Sequence, residues 1–405
     1  MIKQSDLSAV VISQKERLVS TKNDLVRVLL GKLPTDLENH ALIISGIRRC
    51  GKSTLLGQLI KDRNEDAFFI NFDTPKLYNF EMADFGILDL IISETSSRSL
   101  FFDEIQVITG WELYVRQKLD EGFKVVVTGS NASLLSRELG TKLTGRHITK
   151  ELYPFTFVEY FTFLQKSANV ESLQNYLDTG GFPEFIKYNN PDILTTLFED
   201  ILYRDIAVRH GIRDVESLKR LLLFLVSNVG NLVTATKLTQ ALAIKSSATV
   251  LSYFSFFEQT YLLGLMPRFS YSYRAQLVNP RKIYIIDNGL INAVSPSYSK
   301  NSGKKLENVI YWALRQRNKQ LYYFNETGFE CDFVVGQNNV IEDLVQVCFD
   351  LNPENTPREV RGLLDAMNYF KKVSGTIITM NQQDEIRQEG KQIHVVPAWQ
   401  FLTNI

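Results

Sequence analysis

The sequence predicts an α/β protein that opens on a parallel sheet, and two observations carry that expectation. From Ala41 to about Tyr153, short apolar runs alternate with helix-like segments: ALII at 41–44, AFFINF at 67–72, SLFF at 99–102 and KVVV at 124–127. Strands that alternate with helices pair in parallel through right-handed crossovers. The first run leads into Gly46-Ile47-Arg48-Arg49-Cys50-Gly51-Lys52-Ser53, which satisfies G-x-x-x-x-G-K-[ST] in full. Thr54 to Ile60 continue as an apolar-periodic helix, so strand, glycine loop and helix follow in the order this phosphate-binding (P-loop) motif requires.

Composition bounds the rest. A chain of 405 residues suggests two or three domains. With 44% hydrophobic and 11% aromatic residues it can bury a large core, which excludes overall disorder. Lys+Arg and Asp+Glu are 45 each, so any pull toward nucleic acid or anionic membrane has to be local. Cys50, Cys331 and Cys348 are odd in number and far apart, which argues against a disulfide framework and for a reducing cytoplasm. His40, His147, His210 and His394 show no zinc spacing. The start, Met1-Ile2-Lys3-Gln4-Ser5-Asp6, is too polar for a signal peptide, and no run approaches the roughly 18 apolar residues of a membrane helix. A cytoplasmic protein with no membrane partner is expected.

Boundaries are expected near 155, 212 and 295. The first segment, 1–155, holds the alternating pattern and an N-terminal helix. The second, 156–212, is helical and aromatic-rich, with turns at Gly180-Gly181-Phe182-Pro183 and Asn189-Asn190-Pro191. The third, 213–295, reads as three helices and then two strands, LMPRFSYSY and KIYIID. The fourth, 296–405, reads helix, LYYFN, CDFVV, LVQVC, helix, GTIITM and IHVV.

The glycine loop has specific chemistry. Gly46 and Gly51 let backbone N–H groups curl around phosphate oxygens. The helix N-terminus adds its positive end. Lys52 is expected to reach the β- and γ-phosphates, and the Ser53 hydroxyl to bind Mg²⁺. Arg48 and Arg49 add two cations that either touch phosphate or face solvent. The run Ser99-Leu100-Phe101-Phe102-Asp103-Glu104 ends an apolar strand in two acids. Asp103 is expected to hold Mg²⁺ through water, and Glu104 to act as general base on the attacking water. A further strand ends in Thr128-Gly129-Ser130-Asn131. There Thr128, Ser130 or Asn131 orients that water, or Ser130 or Asn131 caps a helix beginning near Ala132. Arg146, in Leu143-Thr144-Gly145-Arg146, either stabilises γ-phosphate charge or faces solvent. No N-K-x-D motif follows, since Asn318-Lys319 runs on into Gln320-Leu321, so ATP is preferred over GTP.

The runs GIRRCGKSTLL, FFDEIQ with Trp111 shortly after, VVVTGSNASLLSRELGTKLTGR and ELYPFTFVEY together resemble a widespread bacterial and archaeal group of AAA-type ATPases. Proteins of that group carry a C-terminal domain of unknown function, in which a winged helix precedes a restriction-endonuclease-like fold. The resemblance runs from about residue 20 to the C-terminus. It implies that Gly46 to Thr54, with Ile47 and Cys50 between, form the Walker A segment. Asp103-Glu104 would be Walker B and Ser130-Asn131 a sensor. It also implies an AAA-type domain over 1–155, a helical lid over 156–212, a winged helix over 213–295 and the nuclease-like fold over 296–405. AAA-type sites often take an arginine from a neighbour, so a homo-oligomer completed by Arg146 is a further expectation. Arg204 and Asp205 in LYRDI match the group as well; on pattern alone they are an exposed helical ion pair.

Residues 234–263 read as a helix-turn-helix, with a turn near Ala243–Lys245 and a second helix opening at Ser246-Ser247. Between 211 and 286, nine Lys/Arg stand against three acids, a net charge of +6 inside a neutral chain. That suits phosphate contacts with DNA. Ser246, Ser247, Thr249 and Ser252 offer only hydroxyls, so contact would be sequence-independent, or the module would pack on a partner protein.

The last domain resembles the PD-(D/E)-x-K nuclease core and departs from it. Glu307 and Asp332 offer two carboxylates, but Gln346-Val347-Cys348 stands where Glu-x-Lys is expected. An amide is a poor ligand for a hard dication, and a thiol cannot replace the lysine. Glu330 or Glu342 would have to migrate into the role. The combined expectation is an ATP- and Mg²⁺-dependent switch or motor that acts through a winged helix and an inactive nuclease-like module, on DNA or a partner protein. The alternatives are an ATP-licensed DNA nuclease and a nucleotide-gated binding protein without turnover.

Overall fold

The computed structural model describes the chain apart from residues 1, 21–24, 35–36, 38, 64–65, 132–142, 144, 296–300, 318–319, 327, 339 and 405. It divides into two compact units, Met1–Tyr153 and Pro154–Ile405.

In the first unit, β1 (Ala41–Ser45), β2 (Ala67–Asn71), β3 (Ser99–Asp103), β4 (Lys124–Gly129) and β5 (His147–Glu151) form one parallel sheet in the order β2-β3-β4-β1-β5. The ALIIS and SLFFD strands are buried at every residue, as parallel strands covered on both faces must be. The covering helices are α1 (Gln4–Ser20), α2 (Lys52–Arg63), α3 (Phe85–Ser93) and α4 (Trp111–Asp120). Leu7, Val10 and Val11 of α1 join Ile43, Ile70 and Phe102 in one apolar cluster. Phe85 and Tyr114 stack with ring centroids 3.9 Å apart and tie α3 to α4. Pairing of Ser45 with Gly129, and of Phe102 with Val127, brings the ends of β1, β3 and β4 to one edge.

The second unit starts with α5 (Phe157–Phe163), α6 (Val170–Thr179), α7 (Pro183–Tyr188) and α8 (Asp192–Asp200). The LYRDI run lies in a π-helix, Ile201–Val208. Next come α9 (Val215–Ser227), β6 (Leu232–Val233), α10 (Ala235–Ala241), α11 (Ser247–Gln259), β7 (Leu263–Pro267), α12 (Tyr273–Val278) and β8 (Arg281–Ile285). The three strands pair antiparallel in the order β6-β8-β7. After α13 (Asn288–Val294) and α14 (Ser302–Arg317), six strands form a mixed sheet: β9 (Gln320–Phe324), β10 (Cys331–Gln337), β11 (Val340–Val347), β12 (Ser374–Thr379), β13 (Asp384–Gln388) and β14 (Lys391–Pro397). Their order is β13-β14-β12-β11-β10-β9. α15 (Thr356–Tyr369) packs on this sheet through Val360, Leu363 and Leu364, and α16 (Ala398–Thr403) ends the chain.

The Gly180-Gly181 turn is a close approach of three segments. A Cβ on Gly181 would lie 2.3 Å from the Phe155 carbonyl oxygen, and the Gly181 N–H donates to Asp287 Oδ2 at 2.6 Å. Gly180 adopts φ +71°, a conformation that glycine reaches without strain.

Candidate functional site

Four segments meet at the carboxyl edge of the first sheet. The loop after β1 requires its glycines: a Cβ on Gly46 would lie 2.0 Å from the Leu152 carbonyl oxygen, and Gly51 sits at φ +100°. Arg27 braces the loop from beneath. Its buried guanidinium donates to the carbonyls of Cys50 (2.7 Å) and Tyr153 (2.8 Å). The Cys50 thiol donates to the Leu152 carbonyl at 3.4 Å. Burial holds that thiol above its ordinary range, against the opposing pull of Lys52 and Arg27, so it is a neutral packing group.

Lys52 opens α2 with its side chain buried. Its Nζ donates to the carbonyls of Gly46 (3.1 Å) and Ile47 (3.2 Å) and pairs with Glu104 Oε1 at 3.1 Å. Ser53 and Thr54 are exposed on the same turn. Ser53 Oγ donates to Asp103 Oδ2 at 2.6 Å, and Asn71 Nδ2 donates to the same oxygen at 2.5 Å. Thr128 Oγ1 donates to Asp103 Oδ1 at 2.5 Å and accepts from the Glu104 N–H at 3.0 Å. Glu104 is held in the left-handed region at φ 51°, a strained conformation typical of functional positions. Its Oε2 accepts from Gln106 Nε2 at 2.5 Å, and that amide nitrogen lies 3.4 Å from Ser130 Oγ.

The charges follow from these contacts. Burial pushes the Asp103 carboxyl upward and Glu104 adds to it; the Ser53 and Thr128 bonds only partly offset this. Burial also pushes Glu104 upward, but Lys52 and Gln106 outweigh it and hold that carboxyl below its ordinary range. Burial works against the Lys52 ammonium, and Glu104 more than restores it. The Lys52–Glu104 pair is therefore ionised. A cavity of about 590 Å³ opens beside Ser53 and Asp103, and Ser13, Gln14, Arg17 and Asn71 contribute to its wall. Ser53 Oγ and Asp103 Oδ2 are hard oxygen donors side by side at an open wall, a donor set that fits Mg²⁺.

The structure thus brings together Gly46 to Ser53, Asp103, Glu104 and Thr128. Asn131 is buried just beyond β4; the helix expected near Ala132, like Thr144, lies outside the described residues. Ile47 is buried, so only its backbone is available, and Arg48 pairs with Asp73 at 3.6 Å. Arg146 is not brought to the site. Its carbonyl accepts from the Ala41 N–H, which puts it at the amino edge of the sheet. Five residues of β1 separate the two edges, about 13 Å at the usual strand rise. Its Nη2 pairs with Asp120 Oδ1 at 2.8 Å.

Arg27, Asn71 and Gln106 escaped the sequence reading. Arg27 has no motif around it. Asn71 ends a strand beside the Asp103 strand, and Gln106 follows Glu104 by two residues, so position relative to the acidic pair was the available signal.

In the second unit, Glu307 and Asp332 do meet, around Lys282. Burial pushes Asp332 up to about 6. Burial also acts to raise Glu307, but Lys282 and Lys304 hold it at about 2. Gln346 is spent on structure: its Oε1 accepts from the Asp332 N–H (3.1 Å) and its Nε2 donates to Glu359 (2.7 Å). Cys348 donates to the Asp350 carbonyl at 3.3 Å, and Glu342 is exposed on β11.

Residues 38–161 match a family described as an AAA domain, and residues 170–301 match a domain of unknown function, DUF8612. The parallel sheet with its glycine loop after β1 is that of a P-loop NTPase fold. The chain is 32% identical over 396 residues to the uncharacterized protein MJ1544 of Methanocaldococcus jannaschii, covering 90% of this chain and 88% of that protein. It is 31% identical over 383 residues to an uncharacterized protein of Haemophilus influenzae, covering 88% and 93%. Among solved structures, the STAND protein with a tetratricopeptide repeat sensor PH0952 from Pyrococcus horikoshii aligns at a TM-score of 0.28 and 12% identity, over 74% of this chain and 47% of that one. This chain therefore spans about half the length of that protein. Among the described residues, no helix is long and apolar enough to cross a membrane.

Proposed function

The chain belongs to the same family as MJ1544 and the Haemophilus protein, and from that premise we propose that it is a Mg²⁺-dependent ATPase whose turnover drives a switch or motor through its second unit. The observation that carries the reading is the meeting of Lys52, Ser53, Asp103 and Glu104 at one sheet edge. Ser53 and Asp103 would hold Mg²⁺, which neutralises charge on phosphate oxygens when bound. An incoming triphosphate competes with Glu104 for the Lys52 ammonium. Glu104 then has Oε1 available to take a proton from water, while Gln106 keeps Oε2 in place. Thr128 holds both Asp103 and the Glu104 backbone, so it fixes the base relative to the metal ligand. Asn131 is the sensor of the γ-phosphate in this reading, and Arg146 is left out of its own chain's site.

The winged-helix reading of 213–295 is supported by the succession α9, β6, α10, α11, β7, α12, β8 and by the β6-β8-β7 strand order. The exposed residues of α11 include Ala248, Leu251, Ser252 and Ser255, none of them one of the usual bidentate base readers. We therefore read its DNA contact as directed at phosphates. The engaged Gln346 and Cys348 support an inactive nuclease-like module.

Phosphate release with Mg²⁺, measured for wild type and Lys52→Ala, tests the proposal. Lys52→Ala is expected to abolish turnover and weaken nucleotide binding; retained activity would end the phosphate-loop reading. Plasmid cleavage in Mg²⁺ or Mn²⁺, lost in Asp332→Ala, would replace the inactive-module reading with the nuclease one.

A further inference from the structure

Lys282, on β8, is 2% exposed, and its Nζ lies 3.1 Å from Glu307 Oε1, 2.7 Å from Glu330 Oε1 and 2.8 Å from Asp332 Oδ1. An ammonium has three N–H donors, and here each has a carboxylate. The acids come from different places: Glu307 from α14, Asp332 from β10 and Glu330 from the segment leading into β10. Other groups take up the remaining valences. The Tyr284 hydroxyl donates to Glu307 Oε1 at 2.8 Å, Lys304 Nζ to Glu307 Oε2 at 2.8 Å, and the Val347 N–H to Asp332 Oδ2 at 3.0 Å. The spacings are those of N–H···O bonds, longer than the roughly 2.0–2.6 Å of oxygen ligands around Mg²⁺ or Ca²⁺.

We propose that Lys282 is the resident cation of this carboxylate cluster: it takes the place a divalent ion would occupy, and it clamps the three-stranded sheet to the six-stranded one. Three carboxylates that converge on one buried point need positive charge there. The chain supplies that charge from a strand outside the six-stranded sheet, so neutralising the cluster also joins two modules. A divalent ion could enter only by expelling the ammonium. Removing the ammonium leaves the buried Glu307 and Asp332 facing the half-buried Glu330, with Lys304 still paired to Glu307 Oε2, an arrangement that is destabilised until protons or another cation arrive. No residue of the first unit takes part, so the inference stands apart from the ATPase reading.

The test uses the full chain without nucleotide, in an Asp103→Asn background that removes the carboxylate of the other expected metal site. Mn²⁺ is titrated while free ion is read by paramagnetic resonance and stability by thermal unfolding. The parent is expected to bind no Mn²⁺ at the cluster. Lys282→Ala is expected to melt several degrees lower, to bind one Mn²⁺ per chain and to regain most of the lost stability with it. Adding Glu307→Gln should remove both gains. Mn²⁺ binding by the parent that Glu307→Gln abolishes would overturn the proposal, and so would a Lys282→Ala protein that melts like the parent and binds no ion. If Lys282→Ala does not fold, Lys282→Met keeps the stem without the charge. It should show faster amide exchange in both β8 and β10, and unchanged exchange in the two strands would overturn the clamp.

Discussion

Glu104 has two parts in the proposed reading: its carboxylate pairs with Lys52, and in the proposed reaction it would accept a proton. Glu104→Gln keeps the shape and loses the base, so it should bind ATP and hydrolyse it roughly 10²–10⁴-fold more slowly, read as phosphate release beside an equilibrium binding assay. Wild-type turnover would leave Glu104 as a strand-end acid. Gly46 makes a different demand. Its absent side chain admits the Leu152 carbonyl, and that neighbour is backbone, which cannot swing aside. Gly46→Ala should therefore fold yet lose nucleotide affinity, because the loop has to move away from its phosphate-binding form; unchanged affinity with normal circular dichroism would contradict this. The motif residues were legible because phosphate chemistry dictates their spacing. Arg27 was not, since it acts through backbone carbonyls of residues 23 and 126 positions away. The edge that Arg146 occupies was not legible either: a loop between strands can lie at either edge of a sheet, and here the pairing of β5 with β1 puts Arg146 at the amino edge of its own chain's sheet.

At the scale of elements, strands with buried apolar runs were readable and polar edge strands were not. β5 reads HITKE, with every residue half-buried, and β13 reads DEIRQ, with four of its five residues exposed. Each closes a sheet, so one side needs no hydrophobic signal. The run LMPRFSYSY was expected to be one strand. Its strand stops at Pro267, and Ser272 caps the short helix α12 by accepting from the Ala275 N–H at 3.4 Å. Serine at a cap outweighs the strand preference of the tyrosines. Helix α11 carries a half-buried acid, Glu258. Burial pushes its carboxyl up to about 7, against Arg281 and Arg315. Its folded pKa therefore lies above the unfolded one near 4.5. Below pH 4.5 both states are protonated and no penalty arises. Between pH 4.5 and 7 the unfolded state ionises first, so stability falls, and above pH 7 the full penalty is present. Glu258→Gln should thus raise stability at pH 8 by an amount on the order of 2–3 kcal/mol and leave it nearly unchanged at pH 4.5. Equal effects at both pH values, measured by urea unfolding, would show that the side chain is hydrated in place.

For the whole molecule, the question is how a neutral chain would engage DNA. The segment 211–286 carries nine basic residues against three acids, but they are not equally placed. Lys282 is buried among three carboxylates, and Arg268 pairs with Glu326 at 2.9 Å. Arg213, Arg220, Lys237, Lys245 and Arg274 are exposed. These five are the candidates for phosphate contact, and binding need not engage all of them at once. Each neutralised phosphate releases condensed counterions, so neutralising about four gives a slope near −3.6 for log affinity against log salt. Removing one contributing cation, for example in Lys245→Ala, should make the slope shallower by about 0.9 and lower affinity similarly for unrelated sequences, because α11 presents hydroxyl and apolar side chains rather than base readers. Lys282→Ala should leave the slope alone, since a cation whose three donors face carboxylates has none for a phosphate. Fluorescence anisotropy with duplexes of two unrelated sequences, from 50 to 200 mM salt, would measure all three quantities. A flat salt response, or no binding at the lowest salt, would assign this segment to a protein partner.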